Sequence, residues 1–599
     1  MRNKREALSN PGEKPANFKE SIGKLLKHSK PFRAFIIIAL ILSALSSVLT
    51  IMGPDRLKEI TDLITTGFMS SIDLDAVKTI GITLVIMYSC GFIFDYVQGL
   101  IMASVTNKYS KQLRSAISSK INKLPLSYFD KTTIGDVLSR VTNDVDTIGQ
   151  TMNQSIGSLV SALTMFLGTL FMMYKTNWIM ASTAIVSTIL GFSIMMIILK
   201  KSQKYFVQVQ SELGALNGHI EEVYSGHNVV KVYNGKNDVH AKFDEINEKL
   251  YTSGRKSQFY SGIMMPLMHF VGNFGYVAVC IVGASLAMNN HISFGVIVAF
   301  MVYIRFFTNP LSQIAQGLTQ LQSTAAASER VFTFLEETEM TSEANLTTKL
   351  DMDLAKGDIK FDNVHFGYTE DKVIIKGFSA DIKAGSKIAI VGPTGAGKTT
   401  IVNLLMKFYE INDGDIIIDG ISTKLLTREN IHDLFVMVLQ DTWLFEGSIN
   451  DNVRYNQTQI TDEQIVQVCK AVGMHHFIKT LPQGYDTVLN DIESLSAGQK
   501  QLLTLARAML EDGPFLILDE ATSSVDTRTE VLVQKSMDRL STGKTSFIIA
   551  HRLSTIKNAD LILVMNDGNI IEQGNHEKLL AKKGFYAELY NSQFQNAEE

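Results

Sequence analysis

Three cysteines in 599 residues, Cys90, Cys280 and Cys469, are too few and too scattered for structural chemistry. Two lie inside apolar runs and none has metal-ligand spacing, which excludes a disulfide framework and a zinc site. Net charge is scarce as well: 56 Lys and Arg against 60 Asp and Glu leave a formal −4. A nucleic-acid binder would show a basic face, so no nucleic-acid partner is expected. The stretch 1–30 is basic and polar, without a short apolar core and a small-residue cleavage site. It reads as a cytoplasmic tail and not as a cleaved signal peptide.

Length allows at least two domains, and the apolar runs divide the chain unevenly. Nearly all of them lie before about residue 310, and a mixed α/β pattern follows about residue 356. The expected division is a tail at 1–16, a transmembrane domain at 17–336, a linker at 337–355 and a nucleotide domain at 356–599. Phe18, Ile22, Leu25 and Leu26 sit at helical spacing among lysines, the pattern of an elbow helix lying along the membrane face. Six apolar stretches then follow at about 33–54, 79–104, 155–175, 178–199, 262–288 and 292–309. Each is long enough to cross a hydrocarbon layer of about 30 Å.

Basic residues concentrate before residue 34 and in the connections 105–154 and 200–261, whereas 55–78 is acidic. By the positive-inside rule both termini are then cytoplasmic, with 55–78 outside. Asn107–Leu124 and Ser202–Asn217 keep helical periodicity and read as helices continuing beyond the lipid. Breaks are expected at Leu124–Asp130 and at Gly218–Gly235. Charge inside the spans is rare and therefore informative. Asp95 and Arg305 either pair with each other as a structural bridge or are substrate residues, Asp95 then being a site for cations. His269 reads as a hydrogen-bonded packing residue. The many methionines, such as Met173, Met195 and Met265, suit packing, lipid contact and adaptable surfaces.

The second half carries one run of another kind, Gly392-Pro393-Thr394-Gly395-Ala396-Gly397-Lys398-Thr399-Thr400. It follows the apolar stretch Lys387–Val391 and leads into the helix-like Ile401–Phe408. Strand, glycine-rich loop and helix are the context of a phosphate-binding loop. Backbone N–H groups around Gly392, Thr394, Gly395 and Gly397, with Thr400 in the first helical turn, would surround phosphate oxygens. Lys398 would reach the β- and γ-phosphates and Thr399 would ligate Mg²⁺. The chain is expected to bind ATP or GTP.

Further residues belong with that loop. Tyr368 could stack on the base. Gln440 follows a strand-like run, where its amide can meet both Mg²⁺ and the attacking water. The apolar run Phe515–Leu518 ends in Asp519, a Mg²⁺ residue, and Glu520, which would polarise the nucleophilic water. His551, after another apolar strand, could contact the γ-phosphate. Leu495-Ser496-Ala497-Gly498-Gln499 opens a second helix suited to an anion. One chain already has its phosphate loop, so this site is explained if it serves a nucleotide held by another chain.

Taken together, the phosphate loop, Gln440, Leu495–Gln499, Asp519-Glu520, Ala521–Asp526 and His551 resemble an ATP-binding-cassette (ABC) ATPase. With six spans ahead of it, the chain resembles a half-transporter of the ABC exporter type. The resemblance implies a fold class: a membrane α-helical bundle of six long transmembrane helices plus an α/β P-loop NTPase cassette domain. It implies ATP and Mg²⁺ as cofactors, a plasma-membrane location, a membrane-lipid environment and a second half-transporter chain as partner. Ser496, Gly498 and Gln499 would contact the partner's ATP, Asp526 would lie at the dimer seam, and the inner-loop tips near 128–135 and 224–228 would be coupling contacts. The family's signature is usually Leu-Ser-Gly-Gly-Gln, and Ala497 departs from it. A Cβ there can hinder the approach of backbone to phosphate. An impaired signature beside an intact phosphate loop implies a heterodimer. Such bacterial heterodimers resemble multidrug exporters of hydrophobic or cationic drugs. Lipid or peptide export is the alternative, although no N-terminal peptidase domain is expected before residue 17.

Overall fold

Inside lipid every backbone N–H and C=O needs an internal partner, so long apolar runs are driven into helix. The computed structural model describes residues 17–68, 71–369, 372–439, 442–489, 495–519, 527–549 and 556–594. These divide into two units, one built from residues up to 122 with 134–337, the other from 123–133 with 338 onward.

In the first unit α1 (Phe18–His28) buries Ser21 and Leu25 and exposes its charged face. Lys24 Nζ donates to Glu336 Oε2 at 2.7 Å, and the His28 ring stacks on Phe332 with centroids 4.6 Å apart. Next come α2 (Arg33–Gly67) and α3 (Leu74–Ile121). A helical run over Ile134–Thr176 contains wide π turns at Arg140–Asp144 and Thr151–Ser155 and ends in α4 (Ile156–Thr176). Then follow α5 (Trp178–Ser225), α6 (Lys236–Met288) and α7 (Phe294–Leu335). Among the described residues six helical segments are long and apolar enough to cross a membrane.

Several local signals do not act as breaks. Helix α2 runs through Pro54, α6 through Pro266 and α7 through Pro310; neighbouring helices can re-satisfy the freed backbone groups in such bundles. The break expected from Gly218 begins later, because α5 passes through Gly218 and stops at Ser225. A lone glycine costs a helix only about 1 kcal/mol, which 48 residues of continuous helix absorb. The turn between α4 and α5 is set by Asn177, whose side chain accepts from the backbone N–H groups of Ile179 and Met180 at 3.1 Å each. The core of this unit gathers Met173, Met180, Ala184, Val279, Phe300 and Tyr303 from α4 to α7. Apolar side chains left outside that core, such as Ile82, Val85 and Phe92 on α3, form a surface that suits lipid. His269 is exposed on α6 and not packed, with no hydrogen bond among the described residues.

The second unit holds two sheets. Strands β1 (Ile359–Phe366), β2 (Ile375–Ile382), β4 (Asp413–Ile418) and β5 (Ile421–Ser422) form an antiparallel sheet in the order β2-β1-β4-β5. The other has six strands in the order β10-β9-β3-β8-β7-β6. Its members are β3 (Lys387–Val391), β6 (Phe435–Val438), β7 (Phe515–Asp519), β8 (Thr545–Ile549), β9 (Leu561–Asn566) and β10 (Asn569–Gly574). The inner strands β3, β7 and β8 are parallel to their neighbours and almost wholly buried. That burial is why they read as unbroken apolar runs and not as alternating ones. Helix α8 (Lys398–Leu405) packs Ile401, Leu404 and Leu405 into the core between the sheets.

The polar stretch after Glu337 is held against this unit by specific bonds. Glu343 lies 3.0 Å from Lys407 and 2.7 Å from Arg428. Leu350 exchanges two backbone hydrogen bonds with the Asn430 side chain, both at 2.9 Å.

Candidate functional site

Parallel strands present their carboxyl ends at one edge of a sheet, where α/β proteins bind ligands. Here the register pairs Ile390 with Ile549, Ile549 with Asp519, and Val438 with Leu518. The segments leaving β3, β8, β7 and β6 therefore start from one edge. These are the segments that continue into Gly392, His551, Glu520 and Gln440. Gln440, Glu520, Asp526 and His551 themselves lie outside the described residues.

The loop after β3 is shaped by close backbone approach. At Gly392 an added Cβ would stand 2.3 Å from the Met565 carbonyl oxygen. Gly397, the residue before α8, has φ 98°, the left-handed region that a side chain disfavours. Gly395 is also in positive φ, at 84°. Thr394 lies between these turns, and Thr399 and Thr400 follow Lys398 in the first turn of α8. The N–H groups of a helix's first turn have no intrahelical acceptor, so the loop and α8 together offer donors to an anion.

Lys398 is buried, and its Nζ donates to the carbonyls of Gly392 at 2.8 Å and Pro393 at 3.1 Å. Burial pushes its ammonium below the ordinary lysine value, while the negative charge of Asp519 opposes the shift. A desolvated cation whose partners are neutral carbonyls gains strongly from an anion placed beside it. Asp519 is buried at the end of β7.

Tyr368 meets the helix that follows the loop. Its hydroxyl is 3.2 Å from Thr400 Oγ1. Its ring sits edge-on to Phe366 and to Tyr409, with centroids 5.0 Å away in each case. Tyr409 Oη in turn donates to Asp130 Oδ2 at 2.8 Å. Burial, followed by the hydrogen bond to Asp130, pushes the Tyr409 phenol well above its ordinary pKa. Sequence reasoning missed Tyr409: it lies just past α8, and nothing local marks it as joined to a residue 279 positions away.

Leu495 is buried and Ser496 caps α9 (Ala497–Ala508). Ser496 Oγ accepts from Gln499 N at 3.2 Å, and Gln499 Oε1 accepts from Ser496 N at 3.0 Å, a reciprocal capping box. Gly498 is buried, whereas Ala497 is the exposed first residue of the helix and keeps a negative φ.

In the first unit the structure does not bring Asp95 and Arg305 together as an ion pair. Both are exposed, and Asp95 Oδ2 instead accepts from Ser46 Oγ of α2 at 2.8 Å. The structural-bridge alternative is thereby corrected: α2 supplies Asp95 with a nearer, neutral donor.

Comparison with known proteins points the same way. The family profile described as ABC transporter transmembrane region matches residues 36–311, and that described as ABC transporter matches residues 375–523. A fatty acid ABC transporter ATP-binding/permease protein of Mycobacterium bovis is 42% identical over 86% of this chain and 82% of its own length. An uncharacterized ABC transporter ATP-binding protein of Bacillus subtilis is 37% identical over 97% of this chain and 96% of its own. An ATP-dependent lipid A-core flippase of Syntrophus aciditrophicus is 30% identical over 98% of this chain and 97% of its own.

Proposed function

The chain belongs to the ABC transporter family as an ATP-binding/permease half-transporter, and from that premise we propose how its residues divide the work of ATP-driven export and what it carries. The observation that carries the reading is the union of six membrane-length apolar helices with a phosphate loop on a buried parallel sheet. ATP binding follows from the family.

Tyr368 stacks on the adenine. The backbone of Gly392, Thr394, Gly395, Gly397 and Thr400 surrounds the phosphates, with Lys398 turning from its loop carbonyls to the β- and γ-phosphates. The hydroxyl of Thr399, the carboxylate of Asp519 and the amide of Gln440 are hard oxygen donors of the kind Mg²⁺ takes. When bound, Mg²⁺ neutralises charge that develops on the phosphates. Glu520 polarises the attacking water and His551 contacts the γ-phosphate. Ser496, Gly498 and Gln499 reach the nucleotide of a second chain, and Asp526 lies at the seam. ATP binding favours the closed pair of cassettes and hydrolysis releases it, which alternates access to the spans. The cassette and both termini face the cytoplasm and the membrane is the plasma membrane.

Ala497 supports a heterodimeric partner, because its methyl group occupies the exposed start of α9 where a phosphate would approach. The cargo is hydrophobic, and Asp95 favours cationic drugs among hydrophobic compounds. A second reading, a lipid-like acid, is favoured by a groove on α5. There Met196, Ile197 and Leu199 run into Lys200 and Lys204, an apolar wall ending in positive charge. Relatives named for fatty acid and lipid A-core transport support it.

The test is ATP turnover and vesicle transport by the full chain, purified with and without a co-expressed neighbouring half-transporter. A cationic dye and a fluorescent fatty acid serve as probes. Glu520→Gln should keep nucleotide binding and nearly abolish turnover, and an unchanged rate would refute its role. Full turnover by a chain that stays monomeric would overturn the two-chain site. Dye transport without acyl transport selects the first cargo, and the reverse selects the second.

A further inference from the structure

Residues 178–199 of α5 are apolar and rise about 33 Å, enough to cross a hydrocarbon layer of about 30 Å. Lys200 and Lys204 therefore stand where the helix leaves the lipid. An open groove of about 890 Å³ lies at that level, lined by Met196, Ile197 and Leu199 and then by Lys200, Gln203 and Lys204. Its size falls within the range of ligand sites, about 300–1,000 Å³.

Helix α6, packed along α5, supplies charge at the same level. Lys256 Nζ lies over the Tyr205 ring, 5.3 Å from its centroid, and Tyr205 directly follows Lys204. Tyr205 stacks on Tyr260 of α6 with centroids 5.7 Å apart, and tyrosines favour the boundary between membrane and water. Arg255 lies over Tyr251 at 5.9 Å. A cation over a ring face is held in place and keeps its full charge. Lys200, Lys201, Lys204, Arg255 and Lys256 are all exposed.

No acid offsets these charges. Neither 192–211 of α5 nor 250–288 of α6 contains an Asp or a Glu, and among the described residues none of the five cations makes an ion pair. Elsewhere in the unit cations are matched: Lys24 with Glu336, Arg114 with Asp146, Arg330 with Asp144. Positive-inside orientation calls for cations at this face, but neither for a groove beside them nor for the rings that hold two of them. Unmatched cations next to an apolar wall suit an anion that brings its own hydrocarbon. A fatty acid brings one carboxylate, whereas a phospholipid brings a phosphate able to accept from several donors. Basic pockets between membrane helices on the cytoplasmic side take such headgroups.

We propose that α5 and α6 bind an anionic phospholipid of the cytoplasmic leaflet, its acyl chain along Met196, Ile197 and Leu199 and its headgroup phosphate on Lys200 and Lys204, with Lys256 alongside. The site rests on the cytoplasmic orientation of the termini. It goes beyond the lipid-like-acid reading of the same groove, because it is defined by binding, whether or not the bound lipid is carried.

The test is native mass spectrometry of the full-length protein in a nonionic detergent, titrated with phosphatidylglycerol, phosphatidylcholine and oleate. Phosphatidylglycerol should bind about tenfold tighter than phosphatidylcholine. Lys256→Gln should weaken phosphatidylglycerol about fivefold, the equivalent of about 1 kcal/mol per cation near a lipid surface. Lys200→Gln with Lys204→Gln should weaken it about twenty-five-fold. Lys204→Arg, which keeps the charge, should bind as the unsubstituted protein does. Lys78→Gln, in the first turns of α3 and away from the groove, should change nothing. The proposal is overturned if phosphatidylcholine binds as tightly, if the double variant keeps its affinity, or if Lys78→Gln weakens binding as much as Lys256→Gln. Oleate binding as tight as phosphatidylglycerol would also overturn it, making the occupant a fatty acid. Transport of a fluorescent fatty acid by the same proteins separates this site from the cargo reading. Phosphatidylglycerol binding without acyl transport keeps the site and ends that reading; acyl transport without a preference for phosphatidylglycerol ends the site and keeps the reading.

Discussion

Asp62 of α2 caps a helix to which it does not belong: its Oδ1 accepts from Gly295 N at 2.9 Å, at the first turn of α7. Its Oδ2 accepts from the Ser293 hydroxyl at 2.8 Å. The residue in the N-cap position of α7, Ser293, makes no capping bond with its own side chain. A carboxylate at a helix N-terminus satisfies an orphan N–H and complements the positive end of the dipole. Asp62→Ala should therefore cost about 1 kcal/mol, with Asp62→Asn falling between it and the unsubstituted protein. Gly295→Ala should cost more, because its Cβ would stand 2.4 Å from the Lys58 carbonyl oxygen. Ranking the variants by thermal unfolding in detergent checks the order; equal melting of Gly295→Ala and the unsubstituted chain would contradict it.

Glu343 carries the next expectation. Burial alone would raise its carboxyl pKa, but hydrogen bonds from the Arg428 backbone and from Lys407, with the charges of both, outweigh burial and hold it below the ordinary value of 4.5. A depressed folded pKa means that the unfolded chain binds the proton first on acidification. The stabilisation is thus present above pH 4.5 and lost as pH falls through the folded value. Glu343→Gln leaves two largely buried cations without their shared partner and should cost about 3 kcal/mol. It should also flatten the acid limb of stability below pH 4.5. Urea melts at several pH values measure both.

Gly392→Ala should abolish nucleotide binding without touching any charged group. The added methyl would meet the Met565 carbonyl at 2.3 Å, and backbone cannot swing aside as a long side chain can. Fluorescent-ATP titration is the readout, and a dissociation constant within about threefold of the unsubstituted value, less than 1 kcal/mol, would mean that the loop relaxes.

Asp95→Asn isolates charge from packing. The Ser46 hydroxyl can still donate to an amide oxygen in place of Asp95 Oδ2. Transport of a cationic dye should fall about tenfold, equivalent to about 1.4 kcal/mol, with a neutral dye unaffected. Equal loss of both would assign Asp95 to structure.

The phosphate loop was legible because its residues are contiguous and its strand and helix context is local. The six apolar spans were legible because lipid allows few alternatives to helix. Gln440 and Glu520 were singled out in the same way, from the apolar runs that end beside them, and both lie outside the described residues. The pairing of Tyr409 with Asp130 was not legible, although the loop tip 128–135 was expected to make contacts, nor were Glu343 with Lys407 or Asp62 with Gly295. Each of those pairs joins distant segments through one hydrogen bond or charge, and neither partner's neighbourhood carries a periodicity that announces the other. Asp95 was visible as a charge in an apolar run, but its partner Ser46 was indistinguishable from the other small polar residues of α2.

Hydropathy and local motif by themselves determined that this protein would span a membrane six times and bind a nucleotide, since both depend on short-range pattern and solvent. Tertiary structure alone decided which side chains meet: Tyr368 with Thr400 and Tyr409, Tyr409 with Asp130, Asp95 with Ser46. Such meetings are set by packing geometry and by the need of buried polar groups for partners, and those conditions exist only once the helices and sheets have come together.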